Sequence, residues 1–271
     1  SLILKSTDKG ETWETILLSS DHELFTGIFF IDQQVGFVYG YSEYKTTDGG
    51  IAWNHFDSPD FYQVENINDS TFYVLTFNNE LYKTFDMGNS YTLIYSDPNR
   101  FIRYIYFKDE LNGFLAGDPG NYLMKTSDGG ISWVEVFCDF EYDLNEIYML
   151  NDSNVWAVDD QNIYISYDGG MHWQLTPFSG KELCKVILYS KNNLFAVGGT
   201  QLLSNDASII ILKTTDSGTN WKILQSELRG KIYSASFIDS LTAWFVGYNT
   251  KLIKTSDGGN SFEVIDPGIG E

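Results

Sequence analysis

The residues best suited to chemistry are the acids and aromatics that do not repeat. Asp60 with Tyr62, Asp97 with Arg100, Asp118, the run Asp139, Glu141 and Tyr142, then Asp159 and Arg229, lie in short polar segments between apolar runs. Two carboxyl groups flanking a sugar, with aromatic rings as platforms, are what cleavage of a glycosidic bond requires. The same residue types without an acid–base pair make a surface that holds a protein or a glycan. No spacing singles out one such pair, so these ten residues are taken as ligand-binding candidates and no catalytic residue is assigned.

Other chemistries find less to work with. The three histidines, His22, His55 and His172, are scattered, and Cys138 and Cys184 fit no metal spacing, so no metal site is expected. The two thiols either pair across neighbouring repeats or stay free. No glycine-rich phosphate loop opens a helix, and no cofactor is expected.

What positions the candidates is a repeat. "KTTDGGIAWN" at residue 45 returns as "KTSDGGISWV" at 125, "KTTDSGTNWK" at 213 and "KTSDGGNSFE" at 254. Aligned on the aspartate there are seven copies, at Asp8, Asp48, Asp86, Asp128, Asp168, Asp216 and Asp257, spaced by 38 to 48 residues. Each has glycine two residues on, the first being Gly10. Each has an aromatic five residues on: Trp13, Trp53, Tyr91, Trp133, Trp173, Trp221 and Phe262. Six have lysine three residues before the aspartate, and Ile165 is the exception.

An aspartate before glycines accepts hydrogen bonds from its own turn, the glycine supplies a positive φ, and the aromatic folds beneath. The box is therefore read as a structural hairpin. Between boxes runs a second hairpin, "FIDQQVGFVYG" at 30, "FKDELNGFLAG" at 107 and "FIDSLTAWFVG" at 237. Two hairpins in about forty residues make one four-stranded blade, and the chain reads as an all-β, seven-bladed β-propeller in a single domain over 1–271. Six inner hairpins stand against seven boxes, so one blade at the N-terminus is expected to be incomplete, with about twenty residues of a native N-terminus missing. The apolar first strands, such as "GIFF" and "NEIYML", are expected to pack on both faces. The box turns lie at the end opposite the loops that carry the ten candidates, and a long insertion spans 198–209.

Composition narrows the partners. The 271 residues carry 37 acids against 17 basic residues, a net charge of −20, with arginine only at 100, 103 and 229. A phosphate backbone needs clustered Lys and Arg, so nucleic acid is not expected. No apolar run approaches the roughly 18 residues of a membrane helix, so membrane insertion is not expected either.

The pattern Ser/Thr-x-Asp-x-Gly-x-x-Trp is the Asp box, or BNR repeat. With the "GFVYG" hairpin between boxes, the chain from Asp8 to Phe262 resembles the propellers related to the photosystem II stability and assembly factor. That resemblance implies a non-catalytic scaffold binding a partner through its loop-bearing face. It also implies an arginine-rich binding patch, which three arginines do not supply. Asp boxes occur as well in sialidases and xyloglucan-cleaving glycosidases, so the alternative is a glycoside hydrolase with an acidic central pocket. The acidic, Asn- and Tyr-rich composition, with the company Asp-box proteins keep, points to a secreted or periplasmic protein that binds a protein or a glycan.

Overall fold

The computed structural model describes residues 2–8, 12–18, 24–118, 122–179, 183–190, 193–199, 208–225, 228–239, 241–248 and 252–265. Gly10, His22 and most of the 198–209 insertion lie outside them. The described residues form 26 strands and no helix, and none of their elements is a helix long and apolar enough to cross a membrane. Six sheets, spanning 25–55, 61–96, 101–136, 144–179, 183–225 and 231–265, each have four strands hydrogen-bonded in chain order. A seventh has two, Leu2–Lys5 and Glu14–Leu18. Among the described residues the propeller thus has six full blades, and the first box, at Asp8, builds half of one. The chain divides into two compact units, Ser1–Leu115 with Met124–Val134, and Ala116–Leu123 with Glu135–Glu271.

The box turn is built as its composition demands. At Asp128, one carboxylate oxygen takes the Thr126 hydroxyl at 2.9 Å and the Ser132 amide at 2.9 Å, while the other takes the Ser132 hydroxyl at 2.5 Å. The Thr126 oxygen in turn accepts the Gly130 amide at 2.9 Å, and Gly130 sits at φ 90°. The same hydroxyl–carboxylate contact recurs at Asp8, Asp48, Asp86, Asp168, Asp216 and Asp257, at 2.7 to 2.9 Å. Donors from the residue four positions on, chiefly side-chain hydroxyls, hold Asp8, Asp86 and Asp257 down to about 2. Such bonds favour the charged carboxylate over the protonated acid.

The aromatic five residues on fills space rather than donating. Trp53 meets Phe30, Trp133 meets Phe107 and Tyr95, and Trp173 meets Phe140, all edge to face. Among the described residues, the buried Nε1 atoms of Trp53, Trp133, Trp173 and Trp221 have no hydrogen-bond partner. Tyr91 and Phe262 can therefore stand in the same place.

The repeating lysine joins one blade to the next. Lys5 donates to the Gly49 carbonyl at 3.0 Å, Lys45 to Met87 at 3.0 Å and Lys213 to Gly258 at 2.8 Å. Each acceptor is the residue after the aspartate of the following box. Lys83 departs slightly, reaching the Glu110 carbonyl at 3.1 Å in the next sheet's inner turn. Each ammonium of Lys45, Lys83 and Lys213 also lies over a ring of its own sheet, Phe37, Tyr73 and Phe195. Ile165 has no such donor. It joins an apolar cluster with Trp156 and Val186, and there Glu146 crosses to the next sheet, accepting the Val186 amide at 2.6 Å and facing Lys185 at 3.4 Å.

One expectation is corrected. The first strands do not all pack on both faces: Phe25–Phe30 alternates between half-buried and exposed, whereas Leu144–Met149 has no exposed residue. The strands buried at every residue are second or third in their sheets, Phe72–Thr76, Val155–Asp159 and Asn162–Ser166. A first strand is a sheet edge, with a hydrogen-bonded neighbour on one side alone, so apolar content by itself does not guarantee full burial, as Phe25–Phe30 shows.

Two outcomes follow from these contacts. Thr126→Val keeps the shape but leaves the buried Gly130 amide without an acceptor, which costs about 1–3 kcal/mol; the urea midpoint falls while the slope is unchanged. Burial pushes Glu146 up to about 7 from 4.5, against the pull of Lys185. The folded protein therefore holds that proton more tightly than the unfolded chain does. Stability from this group is complete below about pH 4.5 and declines as pH rises through about 7. Glu146→Gln keeps an acceptor for Val186, and its stability profile over that window is flatter than the parent's in chemical denaturation.

Candidate functional site

The end of the sheets opposite the box turns carries the candidates. Box turns and inner-hairpin turns sit together, since Gly49 donates to the Gln34 carbonyl at 2.8 Å and Gly169 to Ser153 at 2.7 Å. Loops joining second to third strands, and loops joining sheets, therefore fall at the other end. There the glycine closing the "GFVYG" strand has a steric purpose: a Cβ on Gly40 would collide with the Leu24 carbonyl. The close approach lets the Tyr41 amide donate to that same carbonyl at 3.0 Å, and the Tyr41 side chain leaves the sheet 70% exposed.

In the first unit this produces an aromatic shelf. Tyr41 stacks parallel to Phe77, centroids 6.2 Å apart, and Phe77 meets Tyr62 edge to face at 5.3 Å. Tyr41 and Phe77 each follow the second strand of adjacent sheets, Gly36–Gly40 and Phe72–Thr76. All three rings are exposed. Behind the shelf, buried Glu43 accepts the Phe61 amide at 3.0 Å, and its carboxyl is pushed up by burial, with a smaller push from Asp60. Asp97 and Arg100 pair with each other at 3.9 Å within one turn, and the guanidinium of Arg103 lies 5.9 Å from the exposed Phe101 ring.

In the second unit a cavity of about 340 Å³ is lined by Phe137, Asp139, Phe140, Glu141, Tyr164 and Trp173, among others. Asp139 and Glu141 thus share one space, and Tyr142 lies beside them, exposed. Asp159 is fully buried. It holds its own loop by accepting the Gln161 and Asn162 amides at 2.9 and 2.7 Å, the Tyr164 hydroxyl at 2.9 Å and the Tyr142 amide at 3.3 Å. It is a scaffold residue, unavailable to a ligand. Asp118 is half-buried and Arg229 exposed, and neither lines that cavity. No disulfide joins Cys138 to Cys184, and burial drives the Cys138 thiol up to about 12.

Reading the sequence alone passes over Tyr41, Phe77 and Glu43. The signal is present: Tyr41 and Phe77 hold one repeat position, directly after the second strand, where the next two sheets place Asp at 160 and a strand-ending Asp at 118. Comparing the loops by repeat position picks out the two rings.

Comparisons with known proteins agree with this architecture. The family model of photosynthesis system II assembly factor YCF48 matches residues 86–234. Among solved structures, YCF48 bound to D1 peptide is similar with a TM-score of 0.76 at 17% identity, over 95% of this chain and 85% of that one. YCF48 from Cyanidioschyzon merolae gives 0.72 at 16%, over 96% and 89%. A GH74 xyloglucanase from Xanthomonas campestris gives 0.68 at 11%, over 90% of this chain and 45% of its own. No curated protein sequence matches. At these identities the structural likenesses speak for the fold.

Glu43 holds the start of the strand that carries Tyr62 through the Phe61 amide, and this can be measured. Glu43→Ala strands the Phe61 amide and costs about 1–3 kcal/mol, while Glu43→Gln retains an oxygen acceptor and costs less. Paired urea titrations of the two variants separate the outcomes.

Proposed function

Because the chain belongs to the family of photosynthesis system II assembly factor YCF48, we propose that it is a non-catalytic propeller that holds an extended segment of a partner protein. The observation carrying this reading is the exposed shelf of Tyr41, Phe77 and Tyr62. Rings of this kind offer large, rigid, amphipathic area at small entropic cost and dominate protein interfaces. A relative's structure with D1 peptide supports a peptide as the ligand. With a net charge of −20, the partner segment is one that carries Lys or Arg beside its aromatic or apolar anchors. A glycan is the lesser reading, favoured by the same rings.

The acids support binding over hydrolysis. The two carboxyls that burial raises, Glu43 and Glu146, each accept a backbone amide, and Asp159 is spent on its loop. A secreted or periplasmic location belongs to the same proposal, supported by the acidic, Asn- and Tyr-rich composition. The test of binding is selection from a display library of random peptides, with xyloglucan oligosaccharides assayed alongside for binding and cleavage. Selected peptides are expected to be basic and aromatic, and to bind the Tyr41→Ala, Phe77→Ala double variant at least ~10-fold more weakly, as loss of an interface anchor implies. The double variant retains the parent's Tm, because both rings are exposed. Equal binding by that variant, or cleavage of the oligosaccharides, overturns the reading.

A further inference from the structure

One cavity of the second unit has a chemistry that the aromatic shelf does not share. It is the space of about 340 Å³ bounded by the connecting segment 137–142 and the strands Asn162–Ser166 and Gln174–Ser179. All the residues lining it belong to that unit. Its volume lies near the lower end of the roughly 300–1,000 Å³ found for small-ligand sites, which suits a single side chain. The buried rings of Phe140 and Tyr164 line it, edge to face at 4.7 Å, and Trp173 meets Phe140 at 5.4 Å. Phe137 and Leu175 line it too, and these are 90% and 56% exposed.

The polar side chains of this cavity are acceptors in excess of donors. Asp139 and Glu141 both line it, and both are exposed. Asp97 is matched by Arg100 and Glu146 by Lys185. Among the described residues no Lys or Arg pairs with Asp139 or Glu141. From those residues Asp139 accepts no hydrogen bond, and Glu141 takes one, from the Asn162 side-chain amide at 3.3 Å. That amide also donates to buried Asp159 at 3.2 Å, so a third carboxylate adds its charge nearby. The donors are already spent or covered: the Tyr164 hydroxyl donates to Asp159 at 2.9 Å, and Trp173 Nε1 is buried. His172 Nδ1 donates to Asp168 at 2.6 Å, since a carboxylate only accepts, and the neutral ring keeps Nε2 as a further acceptor. A cleft lined by one sign of charge, with apolar walls, concentrates ions of the opposite sign.

We propose that this cavity receives the side chain of an arginine carried by a partner polypeptide, its guanidinium held by Asp139 and Glu141 among the rings. A guanidinium is planar, weakly hydrated and donor-only, so it pairs with carboxylates and stacks on aromatic faces. The ammonium of lysine is a compact, strongly hydrated point charge and gains less from the rings. Exposed Phe137 and Leu175 offer apolar area that a chain flanking the arginine covers and a free small guanidine does not. The cavity shares no residue with the aromatic shelf, and the inference stands whether or not the shelf binds peptide.

The probe is the blocked peptide acetyl-Gly-Leu-Arg-Leu-Gly-amide, with citrulline or lysine in place of arginine as controls. Citrulline keeps the shape and loses the charge. Nuclear magnetic resonance of the 271-residue chain reads the indole N–H of Trp173, identified by its absence in Trp173→Phe, an exchange the repeat already makes at Phe262. The arginine peptide is expected to shift that signal saturably and to bind at least ~10-fold more tightly than either control. Asp139→Asn combined with Glu141→Gln is expected to weaken it at least ~10-fold, whereas the Tyr41→Ala, Phe77→Ala variant leaves the Trp173 titration unchanged. Glu141→Gln retains an oxygen for Asn162, and the other indole signals are expected to stay in place; if they move, Asp139→Asn alone replaces the pair. No saturable shift with the arginine peptide, or binding indifferent to the Asp139 and Glu141 substitutions, overturns the proposal. Equal binding of the lysine peptide overturns it as well, leaving only attraction to the net charge of −20. Agmatine binding as tightly as the peptide does the same, and assigns the cavity to a free guanidine.

Discussion

The structure depends on one carboxylate holding its own turn. Each box aspartate gathers a hydroxyl from two residues before it and an amide from four residues after it. The hairpin is thereby closed by contacts within a handful of residues, at little cost in chain entropy. Closure fixes the carbonyl that follows the aspartate, and that carbonyl accepts the lysine of the preceding repeat. Local closure and blade-to-blade contact are thus two consequences of the same turn. Lysine suits the contact between blades because its apolar stem crosses the interface, a ring lies beneath its charge, and its head meets a neutral carbonyl.

What can be read from the sequence follows the range of each contact. The boxes are legible because their bonds span two to four residues and recur seven times. The lysine is visible as a repeated letter, but its acceptor lies 42 to 45 residues away in three of the repeats, and nothing local names it. Burial of the first strand Phe25–Phe30 is overestimated because apolar content does not reveal that a strand is an edge. Asp159 counts among the ligand-binding candidates by residue type, yet it captures the amides two and three residues on, as Asp32, Asp109 and Asp239 do in the inner turns. The Asx pattern shared by "DDQN" is what assigns it to the scaffold.

The functional reading rests on side chains the repeat leaves free to vary. Tyr41, Phe77 and Tyr62 are held by strands that would form with other residues in those places, so the shelf can change without cost to the fold. The acids behave differently. Those at the heart of the loops, Glu43 and Asp159, are committed to backbone amides, and their replacement would disturb the loops themselves. A surface with fixed acids behind and variable rings in front suits a propeller that keeps its architecture while its ligand varies.

Where it is made, by Lys5, Lys45 and Lys213, the lysine contact runs in one direction, from a repeat to the one after it, and this bears on how such a chain arises. A duplicated stretch of about forty residues arrives with its own donor for the next copy and its own acceptor for the last. Unequal recombination within the gene can therefore lengthen or shorten the array without any new contact having to be invented. Where Ile165 stands in place of the lysine, Glu146 and Val186 make the contact between sheets instead.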